Sequence, residues 1–209
     1  MLQLKVCGMA DGSNITELVK IQPDFIGFIF HEASPRNVVD IPELNIPKTI
    51  KKVGVFVDKD IDFINKKVNE FGLDYVQLHG KESPEFCEQV KTNEIKIIKA
   101  FNVHDVFDFN QMKDYATYCD YFLFDAFGKN AGGNGVVFNW ELLKNYNGTT
   151  PFLLSGGIDE TMVETIKQFK HPQFAGIDIN SGFEINPALK DVERIKKFKH
   201  NISVIANGE

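Results

Sequence analysis

Along the chain, short apolar runs alternate with longer stretches whose apolar residues recur at helical spacing. The short runs are Leu2–Val6, Phe25–Phe30, Lys52–Val57, Asp74–Leu78, Ile95–Lys99, Tyr121–Phe124, Pro151–Leu154 and Phe174–Ile179. Several are almost continuously apolar, as Phe25-Ile26-Gly27-Phe28-Ile29-Phe30 is. Such runs suit parallel strands covered on both faces better than the half-exposed strands of an antiparallel sheet. The spacing predicts helices over Ser13–Lys20, Asp60–Phe71, Glu82–Lys91, Trp140–Tyr146, Asp159–Phe169 and Pro187–Phe198. Ser83 before Pro84, and Asp159 before Glu160, are helix-start signals: a side-chain oxygen caps free N–H groups, and a proline fits the first helical position. Val38–Lys51 holds two prolines and Asn102–Thr117 is rich in aromatics and aspartate, so the connections after strands two and five are expected to be short or irregular.

Eight βα units, beginning about every 20 to 30 residues, fit a small closed (β/α)8 TIM barrel better than an open doubly wound sheet. The expectation is one catalytic domain over residues 1–209. No repeat motif or low-complexity stretch divides it.

Composition narrows the function. The chain is 43% apolar and 25% charged, ordinary for a globular α/β domain. A net charge of −6 argues against nucleic acid or an anionic membrane as partner, so any phosphate site has to be local. Cys7, Cys87 and Cys119 are odd in number and scattered, which fits neither a disulfide framework nor a zinc cluster and points to a reducing cytoplasm. The N-terminus enters a strand pattern at once, leaving no room for a secretion signal, and the apolar runs are far shorter than the roughly 20 residues of a membrane helix.

In such a barrel the active site lies at the C-terminal ends of the strands. The residues there are polar: Cys7 after strand one, Asp58 after three, Gln77 and His79 around four, Lys99 at five, Asp125 after six, Ser155-Gly156-Gly157 after seven, and Asp178 with Ser181-Gly182 at eight. The second loop adds Ser34-Pro35-Arg36. Glycine-exposed N–H groups in loops seven and eight suit a phosphate, although each glycine alone would serve a tight turn equally well. Gly132-Gly133-Asn134-Gly135 does not complete a dinucleotide fingerprint, because Phe138 stands at the third glycine. No nucleotide cofactor is expected, and no His/Cys/Asp/Glu spacing predicts a metal.

Moving protons on a sugar needs one group that removes a proton and another that delivers one. Cys7 and Asp125, at the tips of strands one and six, are the candidate pair. Singly, a cysteine is usually a small buried hydrophobe and an aspartate after a strand a helix cap; their position is what changes the reading. A thiol serves as base only if nearby positive charge or N–H dipoles favour its thiolate, and Lys5, Arg36 and Lys99 are candidates for that field. His79 is either a turn cap or a substrate contact.

These residues fall into a wider pattern. Lys5-Val6-Cys7-Gly8, Gly27-Phe28-Ile29-Phe30 with Ser34-Pro35-Arg36, Val53-Gly54-Val55-Phe56-Val57 and Val76-Gln77-Leu78-His79-Gly80 cover the first half. Phe124-Asp125, Gly132-Gly133-Asn134-Gly135, Ser155-Gly156-Gly157, the run from Ile177 through Asp178, Asn180, Ser181, Gly182 and Phe183 to Glu184, and Lys190-Asp191 cover the second. Together they resemble phosphoribosylanthranilate isomerase of tryptophan biosynthesis over nearly the whole chain. The resemblance implies a cofactor-free Amadori rearrangement of N-(5-phosphoribosyl)anthranilate, with Asp125 as general acid and Cys7 as general base. It further implies that Arg36 holds the anthranilate carboxylate, that Asp178 and His79 contact substrate, and that Gly156, Gly157, Ser181 and Gly182 hold the phosphate. A monomer or homodimer is expected. The chain departs from the family's usual residues at Asn134 (commonly threonine), Asn180 (serine) and Ala188 (glycine). Two other readings are an isomerase of the related histidine pathway, expected to use two aspartates where this chain has Cys7, and a catalytically silent phosphosugar-binding subunit.

Overall fold

Eight parallel strands close in sequence order, and the last pairs back onto the first. The computed structural model describes residues 2–40, 45–92, 94–104, 106–126 and 140–203. The strands are β1 (Gln3–Val6), β2 (Phe25–Ile29), β3 (Lys51–Phe56), β4 (Tyr75–Leu78), β5 (Lys96–Val103), β6 (Tyr121–Ala126), β7 (Phe152–Ser155) and β8 (Phe174–Ile179). The eight predicted runs overlap these eight strands, with β5 reaching further toward the mouth than expected. Closure sets Lys5 of β1 against Asp178 of β8 and against Phe25 of β2.

Helices α1 (Gly12–Val19), α2 (Ile61–Phe71) and α3 (Pro84–Val90) follow strands one, three and four. Each begins at a side-chain cap: Asp11 accepts the amide of Asn14, Asp60 that of Phe63 and Ser83 that of Phe86. Two of the expected helices are tighter than predicted. Trp140–Asn145 is a 3₁₀ segment, and Asp159–Phe169 divides into a 3₁₀ turn, Glu160–Met162, and α4 (Val163–Gln168). The irregular connection after β5 is a 3₁₀ segment, Phe109–Tyr115.

The stretch Pro187–Phe198 does not begin as a helix. Residues 184–190 form a small antiparallel hairpin, β9 (Glu184–Asn186) and β10 (Leu189–Lys190), and helix α5 starts only at Val192. Asp191 supplies the start signal, its carboxylate accepting the amide of Arg194 at 3.0 Å.

Alternation along each strand sends one row of side chains to the helices and the other into the barrel. Leu4, Val6, Ile26, Phe28, Phe122, Phe124, Ile177 and Ile179 belong to the outer core under the helices. A separate inner cluster holds Phe25, Val53, Tyr75, Ile98, Leu123 and Leu153. Phe25, Tyr75 and Tyr121 meet pairwise at ring-centroid distances of 5.4, 6.0 and 6.2 Å and plug the lower interior. Polar side chains occupy the same inward rows nearer the mouth.

Candidate active site

The inward row of β1 runs from Lys5 to Cys7, that of β4 from Tyr75 through Gln77 to His79, that of β6 from Leu123 to Asp125, and that of β8 to Asp178. The rows of β4 and β6 pass from an apolar or aromatic residue to an ionisable one at the mouth, while that of β1 is ionisable already at Lys5. Lys5 Nζ donates to Asp178 Oδ2 at 2.7 Å, and both groups are buried. Burial works against the Lys5 charge, but Asp178 and Cys7 outweigh it and hold the lysine above its ordinary pKa. This pair lies directly beneath Cys7. Asp178 Oδ1 is buried without a partner among the described residues, as is Gln77 Oε1. Unmet polar atoms in a site are costly unless a ligand or water completes them.

Cys7 is buried, and its amide donates to Ile179 O at 2.9 Å. Burial pushes its thiol above the ordinary value, opposed by the charges of Lys5 and Lys190, while Asp178 adds to the rise. Of the three cations expected to supply that field, Lys5 and Arg36 do approach; Arg36 interacts electrostatically with Cys7. Lys99 does not. Its neighbours Ile98 and Ala100 face the interior, so Lys99 points out, donating to Glu82 Oε2 at 3.0 Å and to the carbonyls of Leu78, Gly80 and Ala100. Lys190, which no reading of the strand tips singled out, takes the place expected of Lys99.

Across the mouth, His79 Nε2 lies 3.3 Å from Asp125 Oδ2, and the Gln77 amide donates to His79 Nδ1 at 2.8 Å. The amide leaves the ring's other nitrogen to face the carboxyl. Asp125 keeps 28% of its side-chain surface exposed, so a substrate can reach it. Asp125 also influences Asp178 electrostatically, as Asp178 does Cys7, which links the two tips across the mouth.

Arg36 forms a two-point ion pair with Glu184 of β9, and Glu184 also accepts from Lys190 of β10. Asn180 Oδ1 accepts from Lys190 Nζ at 2.7 Å, which joins Asn180 to this cluster. On the far side, Gly156 and Gly157 have φ of 90° and 66°. Gly182 packs onto loop seven: a Cβ there would stand 2.3 Å from Ile158 O. Ser155-Gly156-Gly157 and Ser181-Gly182 are therefore adjacent. Asp58, also at a strand tip, turns aside to accept the amide of Lys81 at 2.6 Å. The glycine-rich stretch 132–135 lies outside the described residues. Among the described residues, no group of three or more His, Cys, Asp or Glu is placed to hold a metal, and no helix is long and apolar enough to cross a membrane.

Known proteins resemble the chain over nearly its whole length. Residues 4–201 match the family model for N-(5'phosphoribosyl)anthranilate (PRA) isomerase. N-(5'-phosphoribosyl)anthranilate isomerase of Parabacteroides distasonis is 45% identical over 204 residues, 95% of this chain and 92% of that protein. The crystal structure of phosphoribosyl anthranilate isomerase from Thermotoga maritima superposes with a TM-score of 0.81 at 28% identity, over 98% of this chain and all of that one. A phosphoribosyl anthranilate isomerase solved with reduced 1-(o-carboxyphenylamino)-1-deoxyribulose 5-phosphate superposes with a TM-score of 0.77 at 27% identity, over 98% and 100% of the two chains. The chain therefore belongs to the N-(5'-phosphoribosyl)anthranilate isomerase family, enzymes of tryptophan biosynthesis.

Proposed function

We propose that the isomerisation proceeds by general acid–base catalysis between Asp125 and Cys7, without a cofactor. The observation that supports it best is the pairing of two inward rows, each ending in a group able to move a proton, around Asp178 Oδ1, which has no partner among the described residues. Asp125 donates a proton to the furanose ring oxygen; the C1–O bond breaks, and the nitrogen lone pair forms the protonated Schiff base. The iminium makes the C2 hydrogen acidic, and Cys7 removes it to leave an enolamine. Gain of a proton at C1 and loss of one from the C2 hydroxyl give the aminoketose, with no net proton consumed.

Binding follows the same geometry. Arg36 takes the anthranilate carboxylate, the form of recognition a planar guanidinium serves best. Asp178 Oδ1 accepts from a substrate hydroxyl or amine, and His79 lies beside Asp125 where a substrate oxygen arrives. The phosphate sits between loops seven and eight, on the backbone of Gly156, Gly157, Ser181 and Gly182. The residues named here all lie on one chain, and the assembly expected is a monomer or a homodimer.

The reading is tested by following loss of fluorescence as freshly made N-(5-phosphoribosyl)anthranilate is consumed, with and without a chelator. Turnover at one rate in both conditions is the expected result. A folded protein that does not turn this substrate over, yet binds sugar phosphates, would return the silent-subunit reading.

A further inference from the structure

Arg36, Glu184 and Lys190 set two positive charges against one negative. Arg36 Nε donates to Glu184 Oε1 at 2.8 Å and Nη2 to Oε2 at 2.6 Å, while Lys190 Nζ donates to the same Oε1 at 2.5 Å. A guanidinium offers a carboxylate two edges. Glu184 fills the edge made by Nε and Nη2. The edge made by Nη1 and the second Nη2 hydrogen has no partner among the described residues.

Exposure orders the three groups. The Lys190 side chain is 0% exposed, that of Glu184 6% and that of Arg36 19%, so the member with the open edge is the one a ligand can reach. The other two are held rigidly. They face each other across the hairpin as register partners, the Lys190 backbone is clamped at both N–H and C=O by the side chain of Asn14 in α1, and Ala188 N donates to Glu184 Oε1. An Arg36–Glu184 pair alone would be neutral, with little attraction left for an anion; Lys190 restores one net positive charge in a place with little water to screen it.

We infer that Glu184 and Lys190 determine specificity for the aromatic carboxylate of the substrate: Glu184 fixes the plane of Arg36, and Lys190 offsets the charge of Glu184, so that the open edge carries one uncompensated positive charge. This rests on Arg36 being the carboxylate site. Lys190 also contributes to the field around Cys7, so the readout chosen is ligand binding rather than turnover. Glu184 is held below the ordinary carboxylate range, burial being outweighed by Arg36 and Lys190, which keeps it ionised and in need of that offset.

Calorimetric binding of two ligands tests the inference: reduced 1-(o-carboxyphenylamino)-1-deoxyribulose 5-phosphate, and the same compound without the ring carboxyl. The wild type is expected to prefer the first. Lys190→Met should weaken the carboxylated ligand roughly tenfold or more and the other less than about twofold, and Lys190→Arg should restore most of the loss. Glu184→Gln carries the opposite sign: it removes the competing charge, so preference for the carboxylated ligand is kept or increased. A merely structural role would make the two neutralising variants fail alike, and that result overturns the inference, as does Lys190→Met with its preference intact. Should Lys190→Met bind neither ligand, Glu184→Gln decides, a lost preference overturning the inference and a kept one supporting it. Arg36→Met separates the levels. If it keeps the preference, the carboxylate reading of Arg36 fails too; if it loses the preference while Lys190→Met keeps it, only the inference fails.

Discussion

Gly27 of β2 faces Cys7, just past the end of β1, so closely that a Cβ on Gly27 would stand 2.8 Å from the Cys7 sulfur and 3.1 Å from its Cα. The missing side chain is what gives the sulfur its place. Gly27→Ala is therefore expected to displace the base. A 1 Å misplacement in an acid–base site costs about 10²-fold, so kcat should fall by roughly that factor while the circular dichroism spectrum is kept. Full activity in this variant would mean that the Cys7 position is not critical.

Burial is the largest influence on the Cys7 thiol and pushes its pKa up, with Lys5 and Lys190 opposing. A base works deprotonated, so the sign is fixed: activity should climb with pH, with its midpoint above the ordinary thiol value rather than below it. Measuring kcat/KM against pH checks this. A rise confined to the acid range would assign the base to a different group.

Lys99 and Glu82 form a buried pair outside the barrel, pinning the carbonyls of Leu78 and Gly80. Removing one partner leaves a buried charge unmet, at a cost of about 3 to 5 kcal/mol. Lys99→Met should lower the urea midpoint accordingly yet leave the alkaline limb of the activity profile where it was. A shifted limb would return Lys99 to the field around Cys7.

Ala188 turns the β9–β10 hairpin with a φ of 67°, in the left-handed region that glycine adopts without strain. An alanine in this conformation carries a backbone cost that a glycine would not. Ala188→Gly is expected to raise stability by about 1 kcal/mol, or roughly 2–4 °C in Tm for a chain of this size. An unchanged or lower Tm would show that the strain is absorbed elsewhere.

The strands were legible because both their faces are covered, so apolar runs such as Phe25–Phe30 carry the signal without needing alternation. The polar tips were legible because position at or just past the end of a run is enough to place Cys7, Asp125 and Asp178 at the mouth. Face was harder. Lys99 sits at a strand tip like the others, and only the inward turn of Ile98 and Ala100 shows that it points away. Distance hid the rest: Arg36 and Glu184 lie 148 residues apart, and nothing near either announces the pairing. The second half of the hairpin, from Pro187 to Lys190, read as the start of a helix, since the apolar residues from Pro187 to Phe198 recur at helical spacing. Asp191, four residues after Pro187, was the better signal.

The most direct test of the acid–base account is steady-state turnover of N-(5-phosphoribosyl)anthranilate by the wild type beside Cys7→Ser and Asp125→Asn. Both variants are expected to fold and to bind the reduced product analogue, with kcat lowered by roughly 10² to 10⁴, the range for loss of a positioned acid or base. A folded variant that keeps kcat within about twofold of the wild type would contradict the role assigned to the residue it lacks.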